Sequence, residues 1–530
     1  MSDDSKSILE LTAEEAREYM LKGDQYCTFR LPEYFVFDNV LALSSTVIGK
    51  KDDTQCYAPY TDDTGKLRRV KPSDFDEINY LLYSNKDGKL DYRPLTLINP
   101  YYYYLLVRMI TTPDAWKELT ERFTALRDPH ISVESVIVAD DEYRERKTII
   151  NWWSRVEQQS IELSLQYKYL FITDITNCYG SIYTHSIAWA MMGKEEAKRQ
   201  RGNKSLLGNR LDSAFQGMQY GQTNSIPQGN VVSDLIAELV LSYADSLIAE
   251  KAKENGIEDY KIIRYRDDYR VFCNDKNDVE KLSLIMQKEL AGLNFKINAS
   301  KTCVVEDLVL DSIKKDKVAV FDLFLHRKGL GEASEAYSNK SLLQKELLSI
   351  YAFAKQYPNS GSVERMLGDV YDWFDKTKIN DCNWRALTAI LVSLAKDNPR
   401  TYGIVAAIIS LFVNRMASEE RMTLIKSVYD NVAQWPNSGL LLVWLQRITL
   451  KIDQSFRYKE RLCQLVVGEE ENLWNNKWLD SSILVGFSNG LIISRDVIDN
   501  MKVTIDKKEV SPFYQSSGED GEEQIVAQDT

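Results

Sequence analysis

Two stretches decide how this sequence folds: YKYLFITD at 167–174 and YKIIRYRDDYRVFC at 260–273. The first is an apolar run rich in β-formers, of the length of a buried central strand, and it closes on an acid, Asp174. The second reads as two strands meeting at Asp267 and Asp268. Each acid alone has an ordinary explanation. A strand-end aspartate is usually a cap, and an Asp-Asp between strands is usually a solvated turn. The pair of stretches predicts something further: if both lie in one sheet, three carboxylates from distant parts of the chain converge.

Such convergence suits phosphoryl transfer to a growing strand, which uses two Mg²⁺ ions about 3.5–4 Å apart. Hard carboxylate oxygens are the ligands such ions take. Between the two stretches lies TNSIPQGNVVSDLIAELVLSYADSL (223–247). Pro227 and Gly229 predict a tight turn there, followed by an amphipathic helix, and the glycine lets backbone approach a base pair.

Working outward, 34–45 reads as a strand or a buried helix, while 99–110 and 115–126 read as helical. The stretches around 61–70 and 84–95 read as charged loops or hairpins with glycine at the turn, and 279–293 as a helix ending near a glycine. Beyond about 335 come successive amphipathic helices: SLLQKELLSIYAFAKQY, VERMLGDVYDWF, WRALTAILVSLAKD, TYGIVAAIISLFVNRMA and EERMTLIKSVYDNVAQW. Their spacing resembles stacked helical repeats. The stretch 511–530 has no apolar period and is expected to be disordered.

The 530 residues carry a net charge of −12, with 44% hydrophobic and 27% charged residues. That sign argues against a protein that simply coats a polyanion. Lys198, Arg199, Arg201, Lys204 and Arg210 nonetheless crowd one stretch, compatible with a local nucleic-acid groove. No run approaches the roughly 18–20 apolar residues that span a bilayer. The polar N-terminus is unlike a secretory signal, so a cytoplasmic, membrane-free protein is expected. Seven cysteines without a CxxC pair, and three histidines, predict reduced thiols and no structural zinc.

The chain resembles reverse transcriptases at several motifs in order. FITDITNCYGSIYTH (171–185) is similar to the family's first palm motif, SIPQG (225–229) to its second, YRDDY (265–269) to its third and INASKT (297–302) to its fourth. DYRPL (91–95) resembles a fingers motif. The resemblance implies an α+β fold with right-hand polymerase fingers and palm of reverse-transcriptase type. An all-α, HEAT-like helical-repeat domain would follow. The expected divisions are an N-terminal region with fingers (1–165), palm (166–330), a helical domain replacing a thumb (331–510) and an acidic tail (511–530).

The same resemblance implies roles. Asp174 and Asp267 would bind both Mg²⁺ ions, for which Mn²⁺ could substitute, with Asp268 in support and the Ile175 carbonyl completing one sphere. Tyr179 would be the steric gate that selects dNTPs over ribonucleotides. Gln228 would position the incoming nucleotide, Arg93 and Lys89 would hold its triphosphate, and Lys301 would stand near the pyrophosphate as general acid. Strand alternation puts Arg264 and Arg266 on one face, against primer phosphate or neighbouring carboxylates. His185 reads as structural or template-side.

SIYTHSIAWAMMGK (181–194) and the palm-then-helices layout resemble the bacterial abortive-infection and defence-associated reverse transcriptases, the AbiK-like family. That narrower resemblance implies antiphage defence and a homo-oligomer, trimer or hexamer. It also implies DNA synthesis that either copies a noncoding RNA or starts from a protein or RNA primer. Tyr514 and the run Tyr101–Tyr104 are candidate priming hydroxyls. Two other readings stay open: a conventional RNA-templated reverse transcriptase of a retron or mobile element, and a non-catalytic RNA-binding scaffold.

Overall fold

Nine short strands carry the β structure of the computed structural model, which describes residues 6–49, 51–86, 89–139, 152–320, 339–379, 382–469 and 472–510. Strands β1 (Pro59–Thr61) and β2 (Leu67–Arg69) make an exposed hairpin. Strands β3 (Tyr80–Asn85) and β4 (Tyr92–Leu97) make a second, half-buried one. The central sheet is built from β5 (Ile131–Val133), β6 (Tyr169–Asp174), β7 (Tyr260–Tyr265), β8 (Asp268–Cys273) and β9 (Cys303–Val305), in the order β5-β7-β8-β6-β9. Every neighbouring pair is antiparallel except β5 with β7. The two stretches that open the sequence reading are therefore adjacent strands of one sheet.

Side chains alternate across a sheet, so its two faces differ. On one face Leu170, Ile263 and Phe272 pack with Val156 and Leu308 in a small apolar cluster. On the other, Phe171, Ile262, Tyr269 and Val271 join the main core. The helix Val231–Glu254 contributes to that core and is apolar almost all round, as expected of a helix buried on most sides. Asn230 caps it, its Oδ1 accepting the Ser233 amide at 2.9 Å.

The ambiguous run at 34–45 resolves as a helix, Asp38–Ile48. The tyrosine run forms the helix Pro100–Ile110, capped by Asn99, and all four tyrosines are buried. Their hydroxyls are thus ill placed as mobile primers. Tyr514 and the rest of 511–530, like 331–338 at the start of the helical region, lie outside the described residues.

The five helices read beyond 335 are present as Asn339–Gln356, Gly361–Lys376, Trp384–Asp397, Tyr402–Arg415 and Ser418–Val432. A sixth, Gly439–Thr449, follows and lies against β3. After it the chain runs in short turns back along the N-terminal region. Ile493 bridges Phe35, Leu479 bridges Tyr57, and the Trp474 indole donates to the Leu97 carbonyl at 2.9 Å. One apolar core runs from the N-terminal helices into this region. The helical region is thus packed on the β3–β4 hairpin. No described helix is long and apolar enough to cross a membrane.

Candidate active site

The hairpin register brings the acids together. Asp174 at the end of β6 lies directly opposite Asp268 at the start of β8. The Ile175 amide donates to the Asp267 carbonyl at 3.0 Å, so Asp174 and Asp268 form the non-hydrogen-bonded kind of cross-strand pair. Such pairs have Cα atoms about 4.5 Å apart and the closer side chains. Both side chains fall on the face of the small apolar cluster, at its open end. Asp267 sits in the β7–β8 turn, where Arg266 takes φ 54°, a left-handed conformation that only a tight turn imposes on a non-glycine residue.

Three acids so placed repel one another. Burial, then the charge of Asp174, raises the Asp267 carboxyl above its usual range. Burial and the charge of Asp267 push Asp268 up to about 6. Lys301 is the opposing charge: its ammonium donates to Asp174 Oδ2. Burial alone would lower that ammonium, but the hydrogen bond and the charges of the three carboxylates together outweigh it, so Lys301 holds its proton more firmly than a free lysine.

Divalent cations fit this donor set. Asp174 Oδ1 is buried and finds no hydrogen-bond partner among the described residues, a costly condition that a cation would relieve. No backbone amide among the described residues takes the Ile175 carbonyl either. No three His, Cys, Asp or Glu side chains among the described residues form a ready cage. Mg²⁺ sites of this kind draw remaining ligands from water and substrate phosphates.

The other predicted residues divide. Tyr179 lies beside the acids in a cavity lined with Cys178, Asp234, Arg266 and Asp267. Its hydroxyl donates to Asp234 Oδ1 at 2.6 Å, which fixes the ring, and burial with the Asp234 charge raises its pKa. Gln228 is tied in by its backbone: its carbonyl accepts the Thr96 amide at 2.8 Å, parallel to β4. Arg93, on β4, lies within electrostatic reach of Asp267. Lys89 is exposed near the tip of the β3–β4 hairpin. His185 pairs with Asp212, away from the acids, as a structural residue would.

One expectation needs correcting. Arg264 and Arg266 do not share a face. Arg264 is buried on the far side of the sheet, where its guanidinium holds Asp245 at 2.6 Å and also Glu238. Arg266 has left the strand for the turn, 3.8 Å from Asp234. Strand alternation fails there because the turn begins one residue early. Gly229 takes φ 115°, and a Cβ there would stand 2.7 Å from the Phe29 ring. The glycine makes room for residues 28 and 29, whose Thr28 amide donates to the Gly229 carbonyl at 2.9 Å.

Asp234, Glu238 and Asp245 went unmarked in the sequence reading. Their spacing along one helix, four and then seven residues apart, was the available signal.

Residues 85–328 match the family model described as reverse transcriptase (RNA-dependent DNA polymerase). The chain carries a reverse-transcriptase domain, the domain of an RNA-directed DNA polymerase and hence of a nucleotidyltransferase. No curated protein matches the sequence. Among similar solved structures is apo telomerase from Candida tropicalis truncated from its C-terminal domain. It is 13% identical, with 47% of this chain and 59% of that one covered and a TM-score of 0.28. Telomerase from the same organism with the TWJ fragment of telomeric RNA is 12% identical, with 71% of each chain covered and a TM-score of 0.29. The corresponding Candida albicans complex is 11% identical, with 78% and 66% covered and a TM-score of 0.28.

Proposed function

We propose that the chain synthesises DNA from dNTPs by two-metal phosphoryl transfer centred on Asp174, Asp267 and Asp268. The cross-strand pairing of Asp174 with Asp268 carries this reading. Asp174, Asp267 and the Ile175 carbonyl would hold Mg²⁺, with Asp268 in support. The ions, when bound, would make the primer 3′-oxygen a better nucleophile and stabilise the departing pyrophosphate. Lys301 keeps a proton beside Asp174, where it can pass it to the pyrophosphate oxygen. Tyr179, its ring fixed by Asp234, would bar a 2′-hydroxyl from the sugar position. Gln228 would orient the nucleotide base, while Arg93, and more distantly Lys89, would hold its phosphates.

For the biological setting, the motif SIYTHSIAWAMMGK and the helices after the palm support an antiphage defence enzyme of the AbiK-like kind. Such a cytoplasmic homo-oligomer would use a noncoding RNA template or a priming group. The helical region, HEAT-like in this reading, would take the place of a thumb. The decisive experiment supplies the purified chain with Mg²⁺ and labelled dNTPs, with and without an RNA template and DNA primer. The product and any co-purifying nucleic acid are then sequenced. Incorporation without added template supports the defence reading, and strict dependence on the added pair favours a conventional enzyme. No incorporation under either condition overturns polymerase activity.

A further inference from the structure

Around Asn359 and Asn398 the helical region meets both the fingers hairpin and the segment leaving the palm. Asn398 follows the helix Trp384–Asp397, and its Oδ1 accepts the Asn359 amide at 2.8 Å. The Asn359 side chain donates in turn to the Lys86 carbonyl of the β3–β4 hairpin at 2.7 Å, and Asn85 donates to the Lys396 carbonyl at 3.4 Å. Ser362 reaches Asp316, on the segment leaving the palm, at 3.3 Å. Three parts of the chain are fastened together here, the hairpin by side-chain to backbone bonds and the palm segment by a side-chain pair.

Arg400 stands in this junction, on the short turn Pro399–Thr401. Its Nη1 would lie 3.5 Å from a Cβ placed on Gly361. Its nearest acid is Glu364, with Nε to Oε2 at 3.7 Å, too long for a hydrogen bond, and the side chain is 52% exposed. Arg400 is within electrostatic reach of both Arg93 and Lys314, which themselves face Asp267 and Asp268. Three cations from three separate segments thus act on one another, two of them also on the carboxylates. In the polymerase reading the carboxylates would be taken up by Mg²⁺, leaving these cations beside the metal-bound polyphosphate, and planar guanidinium groups match phosphate oxygens.

We propose that Arg400 of the helical region, together with Arg93 and Lys314, binds the polyphosphate of the incoming nucleoside triphosphate. The nucleotide site is then incomplete without the helical region, which explains why that region is fastened to the fingers hairpin rather than left to move alone. The inference rests on the polymerase reading above and adds a residue to that site.

Arg400→Ala and Arg400→Lys in the full chain test it. Two quantities are read: equilibrium binding of Mg·dTTP by calorimetry, and Mg²⁺-dependent dTTP incorporation on poly(rA)·oligo(dT). Arg400→Ala is expected to raise the KM and Kd for dTTP about tenfold, the effect of losing one charge-assisted contact. The kcat and melting temperature should stay close to wild type, and Arg400→Lys, which keeps the charge without the planar fork, should recover part of the affinity. Unchanged KM and Kd overturn the inference, as does a weakening confined to the oligonucleotide, which would assign Arg400 to strand phosphates. A wild-type chain that neither binds nor incorporates dTTP sinks the polymerase reading itself. An active wild type with an indifferent Arg400 sinks only this addition.

Discussion

One sheet carries charge in two ways. On its covered face Arg264 is fully buried against Asp245 and Glu238, with the Tyr269 hydroxyl donating to Asp245 at 3.0 Å. Burial would lower the Arg264 pKa, but the two carboxylates raise it well above its usual value. Arg264 also donates to the Arg266 carbonyl at 3.1 Å, one residue before Asp267 and Asp268. On the open face Asp174, Asp267 and Asp268 crowd one another, and one buried oxygen of Asp174 lacks a hydrogen-bond partner among the described residues. A charge whose lone pairs and protons are all used holds a structure together. Charges left in excess mark the place where something else binds.

The comparison can be broken on its covered face first. Arg264→Met leaves two buried acids without a counter-charge, so the chain is expected to lose about 3–5 kcal/mol of stability, measured by urea unfolding. A loss under about 1 kcal/mol would show that the covered network is not structural.

The two faces meet at Tyr179, tethered through Asp234. Tyr179→Ala should reduce the preference for dNTPs over ribonucleotides roughly tenfold or more, as loss of a steric clash does. Competition between dTTP and UTP measures it, and an unchanged ratio removes Tyr179 as gate.

The smallest effect sharpens the open face. Asp268 has its pKa raised from 3.8 to about 6, so folding favours its protonated form. Its contribution is intact below pH 4 and erodes as pH rises towards 6. In Mg²⁺-free buffer at pH 7, Asp268→Asn should therefore stabilise the chain by on the order of 1 kcal/mol, and at pH 4 it should be neutral. A destabilised variant at pH 7 would show that the acids are not mutually repelling.

Much of this was legible in the sequence because strand period and turn chemistry are local. The stretches 167–174 and 260–273 announce three strands, and the acids at their ends follow. The five long helices were equally plain from their apolar period. What escaped depends on contacts between distant segments. Arg264 is indistinguishable from Arg266 until the fold buries one and turns the other. Gly229 is explained by Phe29, some two hundred residues earlier. Arg400 gains a role only when Asn359 and Asn398 join the helices to the hairpin.

The double substitution Asp267→Ala with Asp268→Ala tests the account most directly, by Mg²⁺-dependent dNTP incorporation alongside thermal melting. Both residues are half-buried at the end of the sheet, and their carboxylates repel one another there, so the fold is expected to survive their loss. Abolished incorporation with an unshifted or raised melting temperature is the predicted result. Incorporation persisting near the wild-type rate would contradict it.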